Sequence, residues 1–264
     1  MLLAIDIGNT NIVLGCIRSR NILFTERLST DLSKTDLEHA ISVKTVLELH
    51  NIDPNEVKGA IISSVVPPVT HLMQQAVEKV TGCTAMIVGP GLKTGLNIKM
   101  DNPAQVGSDL IVGAVAGIAQ YPVPLILVDM GTATTICVID DKKNYIGGMI
   151  IPGIRVSIDS LTSRTSQLPR ISLDAPKRLI GKNTLECMKS GILYGSASCI
   201  DGMIERIEED LGQKTTVVAT GGLASRIASL CRHPVILDDE LLLKGLQIIY
   251  DKNKPVSDKA SGTT

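Results

Sequence analysis

Leu3-Ala4-Ile5-Asp6-Ile7-Gly8 and Ile126-Leu127-Val128-Asp129-Met130-Gly131 superpose at one offset, so that aspartate meets aspartate and glycine meets glycine 123 residues apart. Each stretch ends a short hydrophobic run that is typical of a buried β-strand. Each also opens a set of three such runs: residues 2–6, 12–17 and 22–28, and residues 125–129, 134–139 and 145–150. One shared Asp-x-Gly can arise by chance, but the repeated three-strand pattern favours a duplicated fold.

The remaining elements follow the same order in both halves. The first half continues with a helical pattern, a strand at 60–64, a second helical pattern and a strand at 85–88. The second half continues with helical material, a strand at 216–219, a helix at 223–230 and a strand at 235–237. This predicts an α/β protein of two βββαβαβ domains, residues 1–120 and 121–252, followed by a polar, disordered tail at 253–264.

Composition excludes several functional classes. The 264 residues carry a formal charge of −1, which offers no broad basic surface to nucleic acid or to an anionic membrane. One Phe, four Tyr and no Trp leave little on which bases or sugars could stack. Six cysteines without C-x-x-C spacing, no long apolar span and no signal-peptide pattern together predict a cytoplasmic protein.

The turn after the first strand has the chemistry of a phosphate-binding loop. In Asp6-Ile7-Gly8-Asn9-Thr10-Asn11, glycine permits a tight turn, the amides and hydroxyl donate hydrogen bonds, and the carboxylate can hold a hydrated cation. An ordinary Gly-Asn hairpin is the alternative. The second copy, at residues 129–135, adds three threonine hydroxyls, so the two hairpins are expected to grip a polyphosphate from both sides of a cleft.

Two further features could contribute to this chemistry. Gly221 and Gly222 lie between a strand and a helix, where a nucleotide could bind, although a plain connector would have the same sequence. Asp109 begins a predicted helix and could accept a proton, although a helix-stabilising role is the alternative. The sequence has no Walker loop or dinucleotide fingerprint, and its histidines lack metal-binding spacing.

Together these motifs resemble the type III pantothenate kinases of bacteria, which belong to the superfamily of acetate and sugar kinases, heat-shock ATPases and actin. The similarity includes both hairpins, Asn102-Pro103, Gly181-Lys182-Asn183-Thr184 and the run at 62–68. It implies two ribonuclease-H-like, actin-like ATPase domains with an interdomain cleft, and a homodimer. It also implies transfer of the ATP γ-phosphate to pantothenate, which yields 4'-phosphopantothenate in the first step of coenzyme A synthesis.

The resemblance assigns a role to each candidate residue. It implies that Asp109 is the general base and that ATP is bound by a set of loop residues: Asp6, Ile7, Gly8, Asn9, Thr10, Asn11, Ile12, Val13, Thr132, Gly221 and Gly222. Asp6 is expected near Mg²⁺, and Asp129 near a monovalent cation, K⁺ or NH₄⁺. Pantothenate is expected to contact Met100, Gly107, Ser108, Asp109, Leu110 and Thr184.

Two positions depart from the family pattern. Most members read Gly-Ala-Asp-Arg where this chain has Gly107-Ser108-Asp109-Leu110, and Tyr where it has Met100. Leucine cannot offer the bidentate cation that suits a carboxylate, so weaker binding or a different acceptor is expected. A nonenzymatic nucleotide-binding regulator on the same scaffold is the second hypothesis, and a phosphatase is the third.

Overall fold

The computed structural model describes residues 1–254. The predicted disordered tail at 253–264 therefore lies outside the described residues, except that Asn253 ends a helix and Lys254 follows it. The chain divides into two compact units. Unit 1 consists of Met1–Leu96, Asn102–Ala119 and the described chain from Glu240 onward, and unit 2 consists of Asn97–Asp101 and Gln120–Asp239.

Eleven strands and seven α-helices are found in residues 1–254. The strands are β1 (Leu2–Ile7), β2 (Asn11–Arg18), β3 (Asn21–Ser29), β4 (Gly59–Ser64), β5 (Met86–Ile87), β6 (Asn97–Ile98), β7 (Leu125–Met130), β8 (Ala133–Ile139), β9 (Asn144–Pro152), β10 (Thr216–Thr220) and β11 (Ile236–Leu237). The helices are α1 (Asp36–Leu49), α2 (Pro67–Thr81), α3 (Ser108–Gln120), α4 (Ile154–Arg164), α5 (Thr184–Leu211), α6 (Ala224–Ala228) and α7 (Leu241–Asn253).

Unit 1 is built on a five-stranded mixed sheet in the order β3-β2-β1-β4-β5. The central strand β1 is antiparallel to β2 and parallel to β4. All six residues of β1 are buried, because both faces of the sheet are covered. Leu3, Ile5 and Ile7 join one apolar core, whereas Leu2 and Ala4 join another that includes residues of α3 and α7. The alternation of a pleated strand therefore supplies two cores at once.

Helix α7 was not expected from the sequence. It packs against β1 and β4, so it belongs to unit 1 although it follows unit 2 along the chain. A Cβ on Gly245 would lie 2.2 Å from the carbonyl oxygen of Val112, which shows how closely α7 approaches α3. This packing differs from the predicted division of the chain, which places residues 241–252 in the second domain.

Unit 2 repeats the same topology. Its sheet has the order β11-β10-β7-β8-β9-β6, so that β9-β8-β7-β10-β11 matches the order of the five strands of unit 1. The predicted duplicated α/β fold is therefore confirmed. The added edge strand β6, which the sequence did not predict, pairs with β9, and Asn97 Nδ2 donates to Asn144 Oδ1 at 2.6 Å. The long helix α5 contributes Leu193, Ala197 and other residues to the core of this unit.

Candidate active site

The hairpin between β1 and β2 is the first candidate loop. Asp6 lies near the end of β1, is only 8% exposed, and pairs with Val13 on β2 and with Ser63 on β4. The turn begins at Gly8, whose N–H donates to the carbonyl of Asn11 at 2.9 Å. A Cβ on Gly8 would approach that carbonyl oxygen to 3.3 Å, so the turn fits glycine best.

A neighbouring threonine fixes the shape of this hairpin. The Thr30 N–H donates to the carbonyl of Thr10 at 3.0 Å, and its hydroxyl donates to the carbonyl of Gly8 at 2.6 Å. The side chains of Asn9, Thr10 and Asn11 are exposed at the tip. Amide and hydroxyl groups are therefore presented to solvent by a backbone that is already held in place, as binding of a polyphosphate requires.

Asp109 lies in the first turn of α3 and is half-buried. Burial raises the pKa of this carboxyl, and the N–H groups of Leu110 and of Asp109 itself offset part of the rise. The Leu110 N–H donates to Asp109 Oδ1 at 2.9 Å. The carboxylate also folds back over Gly107, where a Cβ would lie 2.4 Å from Oδ1. A carboxyl with a raised pKa in a partly solvent-accessible position is suited to accept a proton near neutral pH.

Two serines at the end of β4, to which sequence reasoning gave no role, bond to Ser108, the residue before Asp109. The Ser108 hydroxyl lies 3.1 Å from the Ser63 hydroxyl, accepts from the Ser64 N–H at 3.0 Å and donates to the Ser64 carbonyl at 2.9 Å. Ser63 is fully buried next to Asp6. The available signal was the pair of polar residues that ends the otherwise apolar strand β4.

Unit 2 places the second hairpin at the matching point of its sheet. Asp129 pairs with Thr135 on β8 and with Thr220 on β10. The Gly131 N–H donates to the carbonyl of Ala133 at 3.0 Å, which closes the turn. The paired residues Met130 and Thr134 enclose three loop residues here, whereas the first hairpin encloses four. The second copy therefore keeps the aspartate and the glycine but shortens the loop.

Two glycines lie in close contact with this second hairpin. The Gly153 N–H donates to the carbonyl of Thr132 at 3.1 Å, and a Cβ on Gly153 would lie 2.2 Å from that oxygen. Gly221, with φ of +100°, lies so close to Asp129 that a Cβ would be 2.6 Å from Oδ1. The structure thus brings Gly221 against Asp129, which lies 92 residues earlier in the sequence, in the hairpin that also carries Thr132. Gly222 lines an adjacent cavity of about 530 Å³ with Arg155, Asp159 and Arg226, among others.

The remaining acceptor-site candidates lie in different parts of the chain. Leu110 follows Asp109 in unit 1 and is half-buried. Met100 belongs to unit 2, where its sulfur would be 3.6 Å from a Cβ on Gly147. Thr184 is the exposed first residue of α5, after Asn183, whose side chain accepts from the Glu186 N–H at 2.9 Å. No hydrogen bond within the described residues joins Thr184 to the second hairpin.

The donor set fits a cation that is bound mainly by phosphate. Within residues 1–254 no group of three or more His, Cys, Asp or Glu side chains forms a ready metal site. Mg²⁺ is often held by one or two carboxylates together with substrate phosphates, and the buried Asp6 carboxylate beside an exposed turn meets that requirement. Across the same described residues, no helix combines the length and apolar character needed to cross a membrane.

Both sheets carry an aspartate near the end of the central strand, followed by a hairpin that contains glycine. This repeated arrangement defines a duplicated ribonuclease-H-like, actin-like ATPase fold. A solved activator of 2-hydroxyisocaproyl-CoA dehydratase from Clostridium difficile, with bound ADPNP, has this fold: its TM-score is 0.56 at 12% identity, over 94% of this chain and 93% of that one. A family model described as type III pantothenate kinase matches residues 2–206. Type III pantothenate kinases from Exiguobacterium sp. and Halalkalibacterium halodurans are each 46% identical, over 96% of this chain and 100% of theirs. The chain belongs to the type III pantothenate kinase family.

Proposed function

We propose that the chain transfers the γ-phosphoryl group of ATP to the primary hydroxyl of pantothenate and forms 4'-phosphopantothenate for coenzyme A synthesis. The chain is a phosphotransferase, as its family is. The observation that carries the mechanism is the placement of Asp109, which is half-buried and has a raised pKa. Its helix, α3, is hydrogen-bonded through Ser108 to Ser63, which pairs with Asp6. The proposed proton acceptor and the proposed phosphate loop therefore lie in the same unit, on elements that are joined through the end of β4.

Asp109 acts as the general base. Its carboxylate takes the proton from the pantothenate hydroxyl as that oxygen forms a bond to the γ-phosphorus. The bond from the γ-phosphorus to the bridging oxygen breaks, and ADP leaves with the electron pair. A base with a raised pKa is matched to this step, because its carboxylate binds the incoming proton more firmly than an ordinary carboxylate does.

The phosphates of ATP are bound by the two hairpins. The exposed side chains of residues 9–11 supply donors from unit 1, and Thr132 supplies a hydroxyl from unit 2. Asp6 would hold Mg²⁺, and Asp129 would hold K⁺ or NH₄⁺. When bound, these cations neutralise charge that spreads over the phosphate oxygens. Gly221 and Gly222 form the loop to which we assign the nucleotide, next to the cavity that Gly222 lines.

Pantothenate binds beside the base, with contacts from Gly107, Ser108, Leu110, Met100 and Thr184. Leu110 supplies an apolar wall and no cationic group, so the carboxylate of pantothenate is held less firmly here than a guanidinium would hold it. The protein works in the cytoplasm as a homodimer, without nucleic-acid or membrane partners. No observation favours a nonenzymatic regulator or a phosphatase.

A coupled ADP-release assay with ATP, Mg²⁺, K⁺ and pantothenate tests this function. Wild-type chain should release ADP only when pantothenate is present. Asp109→Asn should lower turnover by about a hundredfold or more and leave ADP affinity in calorimetry unchanged. Nucleotide binding without turnover by the wild-type chain would instead support a regulator.

A further inference from the structure

The Ser108 hydroxyl makes three hydrogen bonds, all to β4. Because a hydroxyl has one proton, and Ser108 gives it to the Ser64 carbonyl at 2.9 Å, the contact with Ser63 at 3.1 Å must be donated by Ser63. The third bond comes from the Ser64 N–H at 3.0 Å. We call this set of contacts among Ser63, Ser64 and Ser108 the serine clamp.

The serine clamp differs from an ordinary helix cap. A capping serine accepts from the N–H groups of the first turn of its own helix. Ser108 instead directs its hydroxyl at a strand that lies 44 and 45 residues earlier in the chain. Its bonds therefore fix the position of α3 on the sheet and do not satisfy backbone N–H groups of α3.

The clamp acts at the point where β4 meets β1, the strand that leads into the proposed phosphate loop and that we call the phosphate-loop strand. Ser63 is fully buried and pairs with Asp6 on β1. One residue after the clamp, the Val65 N–H donates to the carbonyl of Ile7 at 3.0 Å. Strand β1, the end of β4 and the first turn of α3 are thus joined by consecutive hydrogen bonds.

Asp109 is the next residue after Ser108, and its carboxylate depends on that placement. Oδ1 folds back over Gly107, and a Cβ on Gly107 would also approach Val65 Cγ1 to 3.7 Å. A shift of the first turn of α3 away from β4 would therefore expose the carboxylate and move it relative to Asp6.

We propose that Ser108, held by Ser63 and Ser64, is a positioning residue that sets the general base Asp109 against the phosphate-loop strand. This inference rests on the proposed function, because it takes Asp109 as the base. It gives a role to the Ser63-Ser64 pair, and it explains why the Ser108 hydroxyl faces β4. Small displacements of a base from its acceptor cost rate steeply, so the clamp acts on turnover more than on ATP binding.

Ser108→Ala tests the clamp with a small change, since it removes only the hydroxyl that bonds to β4. We expect kcat/KM for pantothenate to fall about tenfold, with KM for ATP unchanged. The acid limb of the pH profile should move to lower pH, because a more solvated Asp109 has a lower pKa. Thr81→Ala is the matched control: that hydroxyl also donates to a carbonyl and accepts from an N–H, at the far end of α2. It should lower the Tm and leave the pH profile unchanged.

A second measurement needs no turnover. Carbon-13 NMR titration of the carboxyls, with the Asp109 signal assigned by its loss in Asp109→Asn, should give a lower pKa for Asp109 in Ser108→Ala than in the wild-type chain. An unchanged Asp109 pKa overturns the clamp, whatever the activity. If the wild-type chain does not phosphorylate pantothenate, the proposed function fails, and the titration still decides whether Ser108 positions Asp109.

Discussion

Gly221 and Asp129 touch so closely that no side chain fits between them: a Cβ at position 221 would lie 2.6 Å from Oδ1 of Asp129 and 2.7 Å from the N of Met130. The positive φ of Gly221, +100°, reinforces this requirement, because L side chains rarely adopt that conformation. The loop after β10 thus packs in close contact with the hairpin that carries Asp129. The loop after β10 and the hairpin that carries Asp129 must therefore move together.

Gly221→Ala should consequently weaken nucleotide binding as well as the fold. The backbone penalty alone is about 1–2 kcal/mol, and the overlap with Asp129 adds to it. Calorimetry with ADP and thermal unfolding measure the two effects. Gly212→Ala is the matched control, since Gly212 also has a positive φ, +67°, but has open space around its missing Cβ. It should lower the Tm and keep the ADP affinity. Equal ADP affinity in both variants would contradict the prediction.

Asp109→Asn should stabilise the chain at neutral pH while it removes turnover. Burial raises the pKa of Asp109, so the folded state binds this proton more tightly than the unfolded state does. The ionised carboxylate therefore costs stability above its folded pKa, and the cost disappears as the pH falls below the ordinary carboxylate range. Thermal unfolding of both proteins across pH should show a higher Tm for the variant at pH 7 and converging values in acid. A lower Tm for the variant at pH 7 would refute this account.

His39 should limit stability in acid. Its ring is 1% exposed, and neither ring nitrogen has a hydrogen-bond partner among the described residues. Burial lowers the pKa of His39, so the unfolded state takes up a proton first, and stability falls as the pH drops through the ordinary histidine range. His39→Leu should raise the free energy of unfolding by about 1 kcal/mol at pH 7 and by more at pH 5, as urea titrations would measure.

His50 provides the control for that substitution. His39 lies in α1, and His50 is the residue that follows this helix. The Nε2 of His50 lies 3.0 Å from Glu26 Oε1, and its ring stacks on Phe24 with centroids 4.2 Å apart. His50→Leu removes made contacts and should destabilise the chain. A stabilising effect at position 50, or none at position 39, would show that unsatisfied ring nitrogens are not the cause.

Leu110→Arg should improve recognition of pantothenate. A guanidinium beside Asp109 would offer the acceptor carboxylate two parallel hydrogen bonds, and we expect the KM for pantothenate to fall about tenfold. Leu110→Met keeps the apolar wall and should leave the KM near that of the wild type. Steady-state kinetics at saturating ATP distinguish the two. If Leu110→Arg leaves the KM unchanged, another group binds the carboxylate.

The repeat around Asp6 and Asp129 was sufficient to predict the duplicated fold, because strand alternation and turn residues are local properties of a sequence. Helix α7 was missed as an element of unit 1, since its partners β1 (Leu2–Ile7) and β4 (Gly59–Ser64) lie far earlier in the chain than residues 241–253. The same reason hid the role of Ser63 and Ser64. Their contact with Ser108 depends on how α3 crosses the sheet, and no local pattern encodes that crossing.

The late position of α7 has a consequence for synthesis. The core that includes Leu2, Val112 and Leu246 lacks one wall until residues 241–253 have emerged from the ribosome, although β1 is made first. Unit 2, apart from the five residues 97–101, is continuous and can fold during translation. The apolar surface that α7 covers therefore stays exposed in the nascent chain while unit 2 is synthesised. A premature stop before position 241 should yield protein that depends on chaperones to avoid aggregation.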